Sequence, residues 1–233
     1  MAGAAFGLAP QGHIKVDIWS DVMCPFCYMG DALLEQALAA FEHRDAVDIE
    51  YHSFLLQPDL PVDTALKMDD FLATTKGFPR EQAAAMNAQV AARGKQVGLD
   101  YRFDLAIATN TRRAHELSHF AKREGRQHEM IQRLFRAYFT EGANVGDRGI
   151  LADLAAEIGL DREAAAASLA TGEFAAAVEA DIQAAGRLGI QGVPFFVFDG
   201  KYAVSGAQPV EAFTQVLTRV WNESADAPAA AAR

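Results

Sequence analysis

The chain has 233 residues, 51% of them hydrophobic. That is enough to bury a sizeable core as one large domain or one domain carrying an insertion, with no disulfide needed to keep it folded. Its net charge of -10 and the lack of any Lys/Arg cluster exclude a nucleic-acid binder, since phosphate backbones are met by clustered cations.

Residues 1–12, "MAGAAFGLAPQG", lack the basic start of a secretory signal and are expected to form a disordered tail. In "HIKVDIWSD" the apolar Ile14, Val16 and Ile18 alternate with other residues, a strand pattern that ends at Cys24 and Cys27, the two cysteines of the chain. "GDALLEQALAAFEHR" then places Leu33, Leu34, Ala37, Leu38 and Phe41 at helical spacing, and "VDIEYHSFLL" reads as a second strand. Residues 13–63 are therefore expected to form a βαβ unit with the cysteine pair at its first turn.

From residue 64 to residue 188 the chain is Ala-rich, studded with charges and almost without strand signal. Helices are expected over "PREQAAAMNAQVAARGKQVG", "NTRRAHELSHFAKREG", "HEMIQRLFRAYFTEG", "RGILADLAAEIG" and, as one long run, "REAAAASLATGEFAAAVEADIQAAGRLG". Gly77, Gly94, Gly98, Gly125, Gly142, Gly159 and Gly189 are taken as stops. Residues 189–222 return to strands: "VPFFVF" and "YAVSG" flank a turn at Asp199-Gly200, and "QPVEAFTQVLTRVWNE" closes with a helix whose Val210, Phe213, Val216, Leu217 and Val220 share a face. Residues 223–233 are expected to be a second disordered tail. No stretch approaches the roughly eighteen consecutive apolar residues of a spanning helix, and the expectation is a cytoplasmic protein with no membrane partner.

A C-x-x-C beside a βαβ pattern reads as a redox motif. At a helix start, unpaired N–H groups and the helix dipole stabilise a thiolate, which makes Cys24 the nucleophile and the more exposed sulfur; Cys27, one turn further in, resolves the mixed disulfide. Pro25 suits the first turn because its missing N–H has no partner to lose. Three other readings compete. Structural zinc needs further ligands of which no cysteine remains, a staple across two residues closes too small a loop to matter, and inert buried thiols do not require a helix start.

Together "DIWSDVMCPFCYMG", "SFLLQPDLP", "NTRRAHELSHFA", "AYFTEG", "GVPFFVF" and "YAVSGAQ" resemble the DsbA-like thioredoxin family, and specifically its FrnE-type branch, from about Ile14 to Trp221. The resemblance implies an α/β fold, thioredoxin-like with a large inserted all-helical domain, and thiol-disulfide oxidoreductase activity toward substrate proteins or low-molecular-weight thiols. It implies no cofactor beyond the cysteine pair, with glutathione as a candidate small-thiol partner. It also implies a cis bond at Val193-Pro194 beside the cysteines, with the Val193 backbone pairing with an extended partner segment. The same superfamily includes 2-hydroxychromene-2-carboxylate isomerases and kappa-class glutathione transferases, which usually carry serine where Cys24 stands, so a glutathione-dependent transferase or isomerase is the competing function. Some FrnE-type proteins have a second cysteine pair near the C-terminus; this chain has none. Strongly oxidising relatives place a histidine where Phe26 stands here, which implies a less oxidising pair.

"HELSH", residues 115 to 119, also matches H-E-x-x-H, the helical pattern in which His115 and His119 would bind zinc and Glu116 would activate water. It lacks the further glycine and histidine of the extended motif, and the expectation is no metal. Asn110 and Thr111 are read as a helix cap, with Asn110 also a candidate ligand contact by analogy with the glutathione-binding relatives. Phe135, Tyr138 and Phe139 are read as core. Phe26 and Tyr28 flank the cysteines and are candidates for an exposed apolar surface offered to a partner.

Overall fold

The computed structural model describes residues 12–61 and 63–225, so most of both expected tails lies outside the described residues. The first unit is β1 (Ile14–Ser20), α1 (Pro25–Ala39) and β2 (Val47–Ser53). The inserted region contains β3 (Leu66–Lys67), α2 (Met68–Thr75), α3 (Arg80–Gln96), β4 (Ile107–Ala108), α4 (Arg112–Arg123), α5 (Gln127–Phe139), α6 (Arg148–Glu157), α7 (Arg162–Thr171) and α8 (Ala175–Leu188). The chain then returns through β5 (Phe195–Phe198), β6 (Tyr202–Ser205) and α9 (Val210–Ala225).

Four strands form one sheet in the order β2-β1-β5-β6. β1 and β2 are parallel, which the intervening α1 permits, and β5 runs antiparallel to both β1 and β6. The alternation in β1 sends Ile14, Val16 and Ile18 to one face, where Ile18 is opposite Phe196 and Val16 opposite Phe198. All five are buried and close against α1 and α9, with Phe213 of α9 edge-on to Phe196 at 4.9 Å.

The opposite face carries charge. Lys15 Nζ lies 2.9 Å from Asp17 Oδ1 and 2.8 Å from Glu50 Oε2. His52 bridges Asp17 (2.8 Å) and Asp181 of α8 (3.0 Å). Asp181 also accepts from the Ser53 amide at 2.8 Å and lies 3.0 Å from His119 Nε2. Beside this network Trp19 stacks on His52 at 4.5 Å and packs with Val197, Ala185 and Ile190. At the outer edge of β2 the Gln127 side chain accepts from the Tyr51 amide and donates to its carbonyl, satisfying backbone groups that an edge strand would expose.

Four expectations need correction. Gly94 does not stop a helix: it sits buried inside α3, where a Cβ would stand 2.3 Å from the Tyr101 ring, so close packing and not chain reversal requires glycine there. The long run from residue 162 to 189 is two helices, α7 ending at Gly172 in the left-handed conformation. The inserted region holds a two-residue antiparallel ladder, β3 with β4, too short to register as a strand pattern. α9 continues to Ala225, three residues into the expected tail.

Candidate active site

β1 delivers the chain to a tight turn in which the Cys24 amide donates to Asp21 O at 3.0 Å and the Met23 amide to Asp21 Oδ1 at 3.3 Å. Cys24 is the N-cap residue of α1, with extended backbone, and Pro25 follows at the first helical position. The Cys27 and Tyr28 amides reach Cys24 O at 3.0 and 3.4 Å. The expected helix start at the cysteines is therefore present, and Cys24 stands at the end of α1 where first-turn N–H groups lack intrahelical acceptors, although its side chain makes no cap hydrogen bond.

Val193-Pro194 is a cis peptide bond, and the loop carrying it lies against the cysteines. The Cys24 thiol donates to Val193 O at 3.6 Å, and Pro194 O in turn accepts from the Gly206 amide at 2.8 Å. Gly30 of α1 makes this approach feasible, because a Cβ there would stand 3.0 Å from both Pro194 Cγ and Phe196 Cζ.

Both cysteines are free thiols. The contrast in exposure expected between them is small, 4% for Cys24 and 2% for Cys27. Their surroundings differ more. Burial pushes the Cys27 thiol well up from the ordinary range, its contact with Cys24 adds to this, and hydrogen bonding with Ser20 and the Asp21 backbone opposes it.

The flanking aromatics divide. Phe26 is 39% exposed. Tyr28 stacks on Phe135 at 5.2 Å and on Phe139 at 6.0 Å, and so belongs to the packing between α1 and the inserted helices.

Sequence reasoning missed what lies behind the cysteines. Asp21 is fully buried, and its carboxylate accepts from Thr111 Oγ1 (2.7 Å) and the Leu56 amide (2.7 Å) and lies 3.4 Å from His115 Nε2. Thr111 thus braces Asp21 and does not cap α4 through its side chain. Asn110 supplies that contact, its Oδ1 accepting from the Arg112 amide at 2.9 Å and its Nδ2 donating to Leu60 O at 2.5 Å, so both polar atoms of the Asn110 side chain are engaged. Tyr101, from the segment after α3, donates its hydroxyl to Pro25 O at 2.5 Å.

The two histidines of HELSH are held by different acids, His115 by Asp21 and His119 by Asp181, with Ser53 Oγ 3.2 Å from His119 Nε2. Among the described residues, the three side chains close enough together to share an ion are Asp17, Glu50 and His52, and the Lys15 ammonium already bridges two of them.

The family model for the DsbA-like thioredoxin domain matches residues 15–218. The chain belongs to this family. A probable DsbA oxidoreductase from Streptomyces coelicolor is 42% identical, with a TM-score of 0.85 and 91% of each chain covered, and this match establishes the thioredoxin-like fold with an inserted helical region. The uncharacterized protein YwbO of Bacillus subtilis is 30% identical over 216 residues, covering 88% of this chain and 96% of that protein. The cytosolic disulfide reductase DsbM from Pseudomonas aeruginosa, solved with GSH, shares the fold at 19% identity and a TM-score of 0.63, covering 88% of this chain and 98% of its own. The DsbA-like assignment gives the CPFC turn and the cis-proline loop a common context.

Proposed function

We propose that this DsbA-like protein is a thiol-disulfide oxidoreductase that exchanges disulfides with protein or low-molecular-weight thiol partners, glutathione among them. The observation that carries the reading is the placement of Cys24 at the N-cap of α1 with its sulfur 3.6 Å from the carbonyl that precedes cis Pro194. In the reductive direction the Cys24 thiolate attacks a partner disulfide, forms a mixed disulfide and releases one partner thiolate. The Cys27 thiolate then attacks the Cys24 sulfur, releasing the second partner thiol and leaving the Cys24–Cys27 disulfide; two electrons have moved to the partner. Formation of the mixed disulfide removes the S–H donor from Val193 O, which frees that carbonyl for an N–H of the partner chain. Phe26 offers the partner an apolar contact.

Within the family the reading places the chain in the FrnE-type branch, on its "DIWSDVMCPFCYMG" and "SFLLQPDLP" motifs, and in the reducing cytoplasm, where the pair rests as the dithiol. Phe26 provides no donor comparable to a histidine, so the thiolate depends on backbone N–H groups and the helix dipole. The expected reduction potential is about -200 to -270 mV. Equilibration against glutathione buffers measures it, and a value near about -120 mV would reverse the assigned direction. Cys27→Ser separates this reading from a glutathione transferase or isomerase: the variant is expected to accumulate a mixed disulfide on Cys24 and lose turnover, whereas full turnover without Cys27 would refute the dithiol mechanism.

A further inference from the structure

We propose that Tyr101 is a positioning residue for Cys24: its hydroxyl polarises the Pro25–Phe26 peptide and thereby strengthens the N–H environment in which the Cys24 thiolate forms. This rests on the reading of Cys24 as the nucleophile.

Tyr101 belongs to the inserted region, 76 residues from Pro25 in sequence, yet its hydroxyl donates to Pro25 O at 2.5 Å. Its ring is held by four neighbours. Gly94 leaves it room that any Cβ would take, Phe103 stacks on it at 5.3 Å, and Tyr28 and Phe139 meet it edge-on at 5.7 and 5.2 Å. The same end of the α3 segment is tied down twice more, Arg93 donating to Ala207 O at 2.7 Å and Gln36 to Val97 O at 3.3 Å. The hydroxyl therefore reaches Pro25 from a seat anchored to α1 and to the β6–α9 connection.

Pro25 O and the Phe26 N–H belong to one amide. That N–H lies in the first turn, where helix geometry leaves it without an intrahelical acceptor; the Cys24 thiol is turned to Val193 O and makes no cap bond, but a thiolate has no proton to donate there and can accept from a first-turn N–H. A donor on the carbonyl shifts electron density within the amide and makes its N–H a stronger donor, the cooperative effect known for chained hydrogen bonds. Burial holds the Tyr101 phenol far up in its neutral, donating form, and the neighbouring Tyr28 and Cys24 act in the same direction. The inserted helices thus contribute one polar contact to the chemistry of a turn that the other part of the chain builds.

The test is Tyr101→Phe, which keeps the ring and removes the donor, read by the pH profile of iodoacetamide alkylation of Cys24 in the reduced protein. The expected profile moves to higher pH by about half a unit, with the rate at pH 6 falling about threefold and the plateau at high pH unchanged. Gly94→Ala displaces the ring while keeping the hydroxyl; it is expected to shift the profile similarly and to lower the melting temperature further. A purely structural role predicts a change in melting temperature with no change in profile. A Tyr101→Phe profile that superimposes on the wild type overturns the proposal, even if Gly94→Ala folds poorly. Failure of the wild type to exchange disulfides would instead remove the functional reading and leave the alkylation shift standing.

Discussion

The two faces of the central sheet are closed by different physics. On one, Ile14, Val16, Ile18, Phe196 and Phe198 pack against α1 and α9, and the stabilisation scales with apolar area removed from water. On the other, Lys15, Asp17, Glu50, His52, Asp181 and His119 form a connected ionic network beneath α8, beside a small apolar patch around Trp19. An apolar face gives stability that pH barely touches. A charged face gives stability only while each member keeps its ionisation state, because a buried charge that loses its partner is costly. The cysteine pair is carried by α1, on the other side of the sheet from this network.

The largest expected effect breaks the apolar face. Phe196→Ala should cost about 3–5 kcal/mol, with the same decrement in urea unfolding at pH 5, 7 and 9; a decrement that varied with pH would mean the two faces are coupled. Asp181→Asn should cost about 2–4 kcal/mol near neutral pH by removing the charged partner of His52 Nδ1 and His119 Nε2, while Asp17 stays on His52 Nε2.

The pH dependence of that second loss follows from the two partners. Burial raises the Asp181 carboxyl, but hydrogen bonds from His119 and His52 outweigh it and hold the carboxyl well below the usual range. Its contribution is present above the ordinary carboxylate value of about 4 and is lost as the pH falls through the folded value. Burial likewise lowers His52, but Asp17 and Asp181 outweigh it and raise the imidazole to about 9. That contribution is complete below about pH 6.5 and disappears as the pH rises through about 9. Stability curves of wild type and Asp181→Asn should therefore converge in alkali and in strong acid and differ most between.

Ile18→Val, a smaller probe of the apolar face, should cost about 1 kcal/mol at any pH in the same measurement. The smallest effect is expected at the rim of the charged face. Burial raises Glu50, but Lys122 and Lys15 outweigh it and bring its carboxyl to about 2. Lys122 is 44% exposed, so Lys122→Ala should cost only about 0.5 kcal/mol and the difference should vanish in molar salt.

Much of the apolar face is legible in the sequence, since Ile14, Val16 and Ile18 alternate and the C-x-x-C falls where the strand gives way to a helix. The charged face is not. Lys15, Asp17, Glu50 and His52 occupy the alternate positions of β1 and β2, and the partner that organises them, Asp181, lies more than a hundred residues downstream in a run that reads only as solvated helix. HELSH is opaque for a related reason: spacing places His115 and His119 on one helix face but cannot show that one meets Asp21 and the other Asp181. Gly94 looks like a stop because glycine usually is one, whereas its cause is an aromatic ring from the segment that follows. Asp21 stands inside the quoted motif "SDVMCPFC", and an acid three residues ahead of Cys24 is the one signal in the sequence for the bracing behind it.

The stacking of Trp19 on His52 makes the charged face optically visible. An excited indole passes an electron readily to a protonated imidazole and poorly to a neutral one, so Trp19 is dim while His52 carries its proton. Its emission should brighten as the pH rises through about 9. The other tryptophan of the chain, Trp221, lies over His43 at 3.9 Å. Replacing Trp221 with phenylalanine leaves a single indole, which can be excited at wavelengths the five tyrosines do not absorb, and the protein then reports the protonation of its own interior as light, with no attached label.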